Sequence, residues 1–367
     1  ALRSRDPKSL ARAFQLQAIV HRRRYDYRGA VHFGRRAFGI FRELGDLRGE
    51  CFLRNLVSES LAFLGDWKGA EETLEGIPRD EPFADIYYLA GNSDLACLRG
   101  DYLNARRLSK ESNGMAEGIG LAEYVTLGRI DRVRHAMHDF DYDTMLAEAA
   151  GGMDGSLEAM PAFCIHTAAY LAGSRRGIAE RAAEHRKAAL AALEQVPEEP
   201  EHSECAMELA RAFLYSGDAA GAWLLAEEHL PSALGKGGWN TAFELSVIVA
   251  EAARKQAQAS ATDEAASETF AFFIGEAFHL APETRLLPRQ VEIRYLYLSC
   301  LPTARQPVGA GPEFVAESDA GARIGRALSL LDEELEALSC DEAREELLAI
   351  SVFGELAAMR GNPGKRT

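Results

Sequence analysis

The sequence predicts an all-α fold, a solenoid built from helix–turn–helix pairs, and three observations predict it. The first is a recurring phrase. Phe63-Leu64-Gly65-Asp66-Trp67-Lys68-Gly69-Ala70 is nearly repeated at Cys97-Leu98-Arg99-Gly100-Asp101-Tyr102-Leu103-Asn104-Ala105. Looser copies stand at Arg24-Tyr25-Asp26-Tyr27-Arg28-Gly29-Ala30 and at Leu214-Tyr215-Ser216-Gly217-Asp218-Ala219-Ala220-Gly221-Ala222. Each joins an apolar helix end to Gly-Asp or its equivalent, usually an aromatic, and then an Ala. Gly closes one helix in a left-handed cap, Asp opens the next by accepting a backbone N–H, and the Ala lets two helices cross closely. The second observation is spacing. Ala30 to Ala70 is 40 residues, Ala70 to Ala105 is 35, and Ala105 to Ala222 is 117, three units of 39. Two helices and two turns fill that period. The third is composition: Ala, Leu, Glu and Arg dominate, β-branched residues are sparse, and 47% of the chain is hydrophobic,.

In chain order, residues 7–24 read as a first helix with Leu10, Phe14, Gln17/Ala18 and His21 on one face. Asp26-Tyr27 opens its partner, through Ala30, Phe33, Ala37, Phe38 and Phe41. Gly45-Asp46 begins the second pair, in which Cys51, Leu53, Leu56, Val57, Leu61 and Leu64 precede Ala70, Leu74 and Ile77, and Pro78 and Pro82 stop the helix,. Ile86, Leu89, Ala90 and Leu95–Leu98 make the third pair with Ala105 and Leu108. Two further turns are expected, at His138-Asp139-Phe140-Asp141-Tyr142, with Met145 at the small position, and at Leu171-Ala172-Gly173-Ser174, followed by Ala179 or Ala182. Beyond them, 239–255 and 265–280 read as a helix pair, 256–264 as a low-complexity connector, 287–301 as a helix and 302–312 as a loop. Helices over about 319–338 and 341–360 close the chain, with Glu333, Glu334 and Glu336 as the polar outer face of a cap. Gly361–Thr367 is expected to fray.

These residues resemble tetratricopeptide repeats: the Gly-Asp-aromatic turn, the Ala after it and, in the first pair, Ala37 seven residues beyond Ala30. The 40-residue spacing and Phe41-Arg42-Glu43-Leu44-Gly45-Asp46 resemble the longer variant in bacterial regulators of the maltose-regulator and signal-transduction ATPase type. The match is clear over 7–110 and 204–231 and degenerate over 111–203 and 232–301. The resemblance implies a right-handed superhelix, here one array over 1–367 with capping helices at about 319–360. It also implies a concave wall made by the first helix of each pair.

On that wall the first helix places Arg12, Gln15, Leu16, Ile19, Arg22 and Arg23, the next Phe52, Asn55, Leu56 and Glu59, and the third Tyr87, Ala90 and Asp94. Partner-binding is expected from Arg12, Gln15, Arg22, Arg23, Asn55, Glu59, Tyr87 and Asp94. The expected partner is a protein or peptide with an acidic or phosphorylated end. The carboxylate clamp used on chaperone tails needs Lys and Asn where this chain has Gln15, Ile19, Leu56, Tyr87 and Gly91, so that ligand does not fit. Arg22-Arg23-Arg24 with Arg35-Arg36 is the sharpest basic feature. Solvated arginines whose stems cover neighbouring residues are the plainer reading of it.

Charge narrows the classes. The net charge is −15, yet residues 1–60 hold 13 Lys/Arg against 6 Asp/Glu and the rest 28 against 50. Nucleic acid is therefore not expected as a partner of this segment. Six dispersed cysteines without CxxC read as reduced buried thiols and a cytoplasmic protein. No apolar run is long enough for a membrane span, and no signal peptide is read. The chain begins at Ala, which fits a trimmed start or a piece of a longer protein.

Catalytic signatures are sparse. His135 and His138 share a helix face with Asp139, Asp141 and Asp143 following, the one metal-like cluster, but the run fails as a calcium loop at Thr144 and Ala150. The same residues fit a capped turn. Neither Gly-x-Ser-x-Gly nor a phosphate loop occurs, and Gly235-Lys236-Gly237-Gly238 reads as a loop. Trp67 and Trp223 are expected in the core and Trp239 partly exposed, where it could stack on a ligand. The function expected is non-enzymatic, without cofactor: a protein- or peptide-binding scaffold, the interaction or sensor part of a regulatory protein. A small-effector sensor, and a metal-dependent enzyme using His135 and His138, are the alternatives.

Overall fold

In a computed structural model the described residues are 6–151, 159–196, 200–235, 237–259, 264–281, 284, 289–301, 320–338 and 340–359. They form 18 helices and no strand, and helix accounts for 87% of the structure. The chain divides into two compact units, Ala1–Arg132 and Val133–Thr367.

The first unit holds α1 (Pro7–Arg23), α2 (Tyr27–Glu43), α3 (Leu47–Phe63), α4 (Trp67–Glu75), α5 (Pro82–Leu98), α6 (Tyr102–Ile119) and most of α7 (Ala122–His138). Successive helices pack on one another. In addition α1 lies beside α3, and α3 beside α5, so the first helices of successive pairs form one wall. The second unit holds the end of α7, α8 (Tyr142–Ala150), α9 (Ala159–Arg175), α10 (Ala179–Gln195), α11 (Pro200–Ser216), α12 (Ala219–Gly235), α13 (Trp239–Ala259), α14 (Glu264–Leu280), α15 (Arg289–Leu298), α16 (Ala320–Ala337), α17 (Asp341–Ala349) and α18 (Ser351–Ala358). There α9, α11 and α13 repeat the side-by-side arrangement.

One turn geometry joins the helices of most pairs. The cap residue's N–H bonds the carbonyl five residues back: Asp66 to Leu61 at 2.9 Å, Asp101 to Ala96 at 2.9 Å, Asp218 to Phe213 at 2.8 Å. The cap carboxylate then accepts the N–H three residues on, as Asp66 does from Gly69 at 2.9 Å and Asp141 from Thr144 at 3.0 Å. The residue before the cap must be left-handed, and Gly65 fills that place at φ +81°. Tyr25 (φ 58°) and Phe140 (φ 55°) fill it without glycine, which is why those copies of the phrase look loose.

The small positions are where the helices meet. Ala30, Ala70, Ala105, Met145 and Ala222 are fully buried. Ser58 Oγ donates to the Ala70 carbonyl at 2.9 Å and Ser93 Oγ to that of Ala105 at 2.8 Å, the same hydrogen bond in successive pairs. Arg54 is also buried, bonded through Nε to Glu50 (2.9 Å) and through Nη1 to the Thr73 carbonyl (3.1 Å), and it lies over the Phe38 ring.

Several expectations are corrected. Pro82 stops nothing: it begins α5, where its missing N–H has no partner to lose,. Gly173 is helical and meets Ala182 where α9 and α10 cross. The turn falls at Arg176-Gly177-Ile178 instead, with Gly177 at φ 72° and Ile178 in place of the capping Asp. The last helix is two, because Ile350 is extended between α17 and α18. Glu334 does not face outward but is fully buried, while Glu333 and Glu336 are exposed. Residues 256–259 continue α13. The expected loop at 302–312, the tail at 361–367, residues 260–263 and Lys236 lie outside the described residues. Trp67 is half-buried under the Arg99 guanidinium, Trp223 is half-buried and donates to Glu227, and Trp239 is exposed. No described helix is long and apolar enough to cross a membrane.

Candidate functional site: the first-helix walls

In the first unit α1 buries Ala11, Phe14 and Ala18 against α2 and its neighbours and leaves its other face outward. On that outward face Leu16 is 64% exposed and Val20 45%. Arg12 and Arg23 are exposed on the same helix, and Arg12 Nη1 donates to Gln15 at 3.0 Å. Two large apolar side chains thus stand among cations on a wall whose other side is core.

Four of the expected contacts close on each other instead. Arg22 Nε donates to Glu59 Oε2 at 2.8 Å, and Nη2 donates to Oε1 of the same carboxylate. This bidentate pair ties α1 to α3 and spends the charge of both. Asn55 Nδ2 donates to the Tyr87 carbonyl at 3.0 Å, pinning α3 to α5. Tyr87 is buried, edge-on to Tyr124 at 4.8 Å between ring centroids. Asp94 is exposed at the far end of the wall. Arg12, Arg23 and Asp94 are exposed and Gln15 is half-buried, whereas Arg22, Glu59, Asn55 and Tyr87 hold the wall together. Val20 belongs with Leu16. Its position four residues on from Leu16 is the signal that could have found it.

In the second unit two clusters of polar groups are buried. His138, at the end of α7, faces Asp139 Oδ1 through Nδ1 at 3.3 Å and Glu334 Oε1 through Nε2 at 3.0 Å. Burial disfavours its charge, but the bonds to the two carboxylates outweigh this and hold it above the ordinary histidine value. Both ring nitrogens of His138 are thus engaged by carboxylates, Nδ1 by Asp139 and Nε2 by Glu334. Glu334 also accepts from Gln290 Nε2 at 2.8 Å. Burial opposes its ionisation, yet His138 and Arg289 keep it below the usual carboxylate value. Among the described residues no group of three or more His, Cys, Asp or Glu is arranged to hold a metal ion.

Deeper in this unit, Arg294 of α15 and Glu251 of α13 are both fully buried, with Nε 3.4 Å from Oε2. Lys255 Nζ lies 3.6 Å from the other carboxylate oxygen. The Arg294 guanidinium sits over the Tyr215 ring at 4.6 Å and the Phe353 ring at 5.6 Å. Sequence reasoning missed this pair because each charge stands inside an apolar run, Val291–Leu298 and Val247–Ala253. A charge in such a run is itself the signal of a buried partner.

Of the six thiols expected to be buried, Cys51, Cys164 and Cys205 are, Cys97 and Cys300 are half-buried, and Cys340 is exposed at the start of α17. Burial pushes Cys51 up to about 12, and it raises Cys205 as well,. No family model matches the chain, and no curated protein matches it either.

Proposed function

We propose that the chain is a non-enzymatic docking scaffold of tetratricopeptide-like helix pairs. It belongs to a regulatory or signalling protein and receives a protein segment on the α1–α3–α5 wall. The observation that carries this is the outward face of α1, where Leu16 and Val20 are exposed between Arg12 and Arg23. Apolar anchors of that kind supply affinity when a partner covers them, and flanking cations set register and select an acidic partner. An amphipathic segment with acidic residues beside its apolar ones fits both demands. Arg22 and Glu59 are framework in this reading and touch no partner.

The test is capture from native lysate by the full chain, with captured proteins identified by mass, against variants Leu16→Asp and Arg12→Glu/Arg23→Glu. The partner should be lost with the first and weakened in a salt-dependent way with the second. An unchanged set of captured proteins removes the α1 face from the account.

A further inference from the structure

Three glutamates on the last three helices share one habit. Each reaches back to donors on helices far earlier in the chain. Glu334 of α16 takes His138. Glu346 of α17 takes the Tyr142 hydroxyl at 2.9 Å and Arg175 Nε at 3.1 Å. Glu355 of α18 takes two nitrogens of Arg254, at 3.0 and 3.1 Å, and the Tyr297 hydroxyl at 2.6 Å. The donors include Arg175 on α9 and Arg254 on α13, first helices of their pairs, and His138 at the end of a third, α7.

Between the glutamates these helices bury Leu331, Leu347, Phe353 and Leu356. The segment α16–α18 is thus acidic and amphipathic. It is seated by carboxylates on Arg, His and Tyr and by apolar side chains between them. The Glu346 and Glu355 side chains keep about a third of their surface open to water. Two of the three carboxylates thus form a half-wet rim, while Glu334 and the apolar side chains are fully buried, and a charged rim around apolar anchors is the make-up of an interface between partners.

We infer that α16–α18 are an intramolecular ligand of this first-helix wall, and that the wall's external partner is an acidic amphipathic helix of another protein, which displaces them. The chain's own helices then hold the site closed. A competitor binds with its intrinsic dissociation constant divided by the fraction of molecules in which the wall is open, and so more weakly than to an open wall. This rests on the second unit alone and stands whether or not α1 docks a partner.

The experiment uses the full chain, the double variant Glu346→Arg/Glu355→Arg, and a labelled synthetic peptide with the sequence of residues 341–358. A control peptide carries Lys at the two glutamate positions. Hydrogen exchange should show α16–α18 opening more readily than α9, α11 and α13 in the parent, and loosened further in the variant while α9, α11 and α13 stay protected. The variant should bind the peptide at least about tenfold more tightly than the parent, and the control peptide should not bind. Loss of protection throughout the second unit in the variant would make α16–α18 plain core and overturn the inference. So would α16–α18 in the parent exchanging only with the whole unit, absence of peptide binding to the variant, or equal binding of the control peptide.

Discussion

Arg22 of α1 and Glu59 of α3, 37 residues apart in the chain, form a bidentate ion pair across the first-helix wall. Its side chains are only 34% and 25% exposed, so water screens it less than a surface pair. Its fork geometry fixes the stagger of the two helices. Glu59→Gln should cost about 1 kcal/mol in urea unfolding. Arg22→Glu should cost more, because two carboxylates then face each other. The exchange Arg22→Glu/Glu59→Arg should recover most of the loss. Failure of the exchanged variant to recover would mean that each side chain acts through other neighbours.

The helix pairs were legible because their turns are written in residue types with one physical use. Asp26, Asp46, Asp66, Asp101, Asp141 and Asp218 all cap as read. The turn before α10 does not stand out in the sequence because Ile178 occupies the place that Asp fills in the other turns. Gly173 sits inside α9, where it lets that helix approach Ala182 rather than ending it. The wall was legible as a set of residues but not as a set of roles. Nothing local to Arg22 or Asn55 says that each finds its partner on the next first helix. Glu334 was misread because a run of acidic residues near a chain end suits a solvated face. Its burial depends on His138, 196 residues away, and such pairing leaves no local trace.

Ala70 is fully buried where α4 crosses α3, and its carbonyl receives Ser58. Ala70→Trp would force a ring between Val57, Leu61 and Leu74, which are themselves fully or almost fully buried in one cluster. Overpacking of this kind costs about 1–3 kcal/mol or more. The thermal midpoint should fall, and hydrogen exchange should quicken first in α3 and α4. A variant that melts like the parent would show that the crossing point lies elsewhere. Ser58→Ala is the milder probe, with an expected loss of about 0.5–1.5 kcal/mol.

The pH dependence of the second unit has two opposing parts. His138 is raised above its ordinary 6.5. Its contribution is therefore complete below about 6.5 and is lost as pH rises through the folded value. Glu334 is lowered from 4.5, so its contribution is present above about 4.5 and is lost as pH falls through its folded value. His166, 3.0 Å from His185, behaves oppositely to His138. Burial, and then the charge of His185, push it down to about 4, so its contribution is present above about 6.5 and lost towards 4. His138→Gln should therefore cost most near pH 6, about 3–5 kcal/mol for a buried pair broken on one side. That penalty should shrink on the alkaline side. Urea midpoints of parent and variant across this range decide it, and a pH-independent difference would mean that His138 acts only by shape.

Arg294 and Glu251 give the sharpest stability test. Both are fully buried, and they meet as an ion pair at 3.4 Å. Among the described residues neither the Arg294 nitrogens nor the Glu251 oxygens have a hydrogen-bond partner. Desolvation is thus offset by charge, the Tyr215 ring and Lys255, without the hydrogen bonds that make a buried pair favourable. Arg294→Met strands the carboxylate beside Lys255 alone and should cost about 3–5 kcal/mol. The double change Arg294→Met/Glu251→Met should return to the parent's stability or exceed it, since two apolar side chains would then fill the same space. Denaturation of the two single variants and the double variant closes the cycle. If the double variant is as unstable as the worse single one, the pair is hydrogen-bonded through groups other than these, and its burial is favourable in itself.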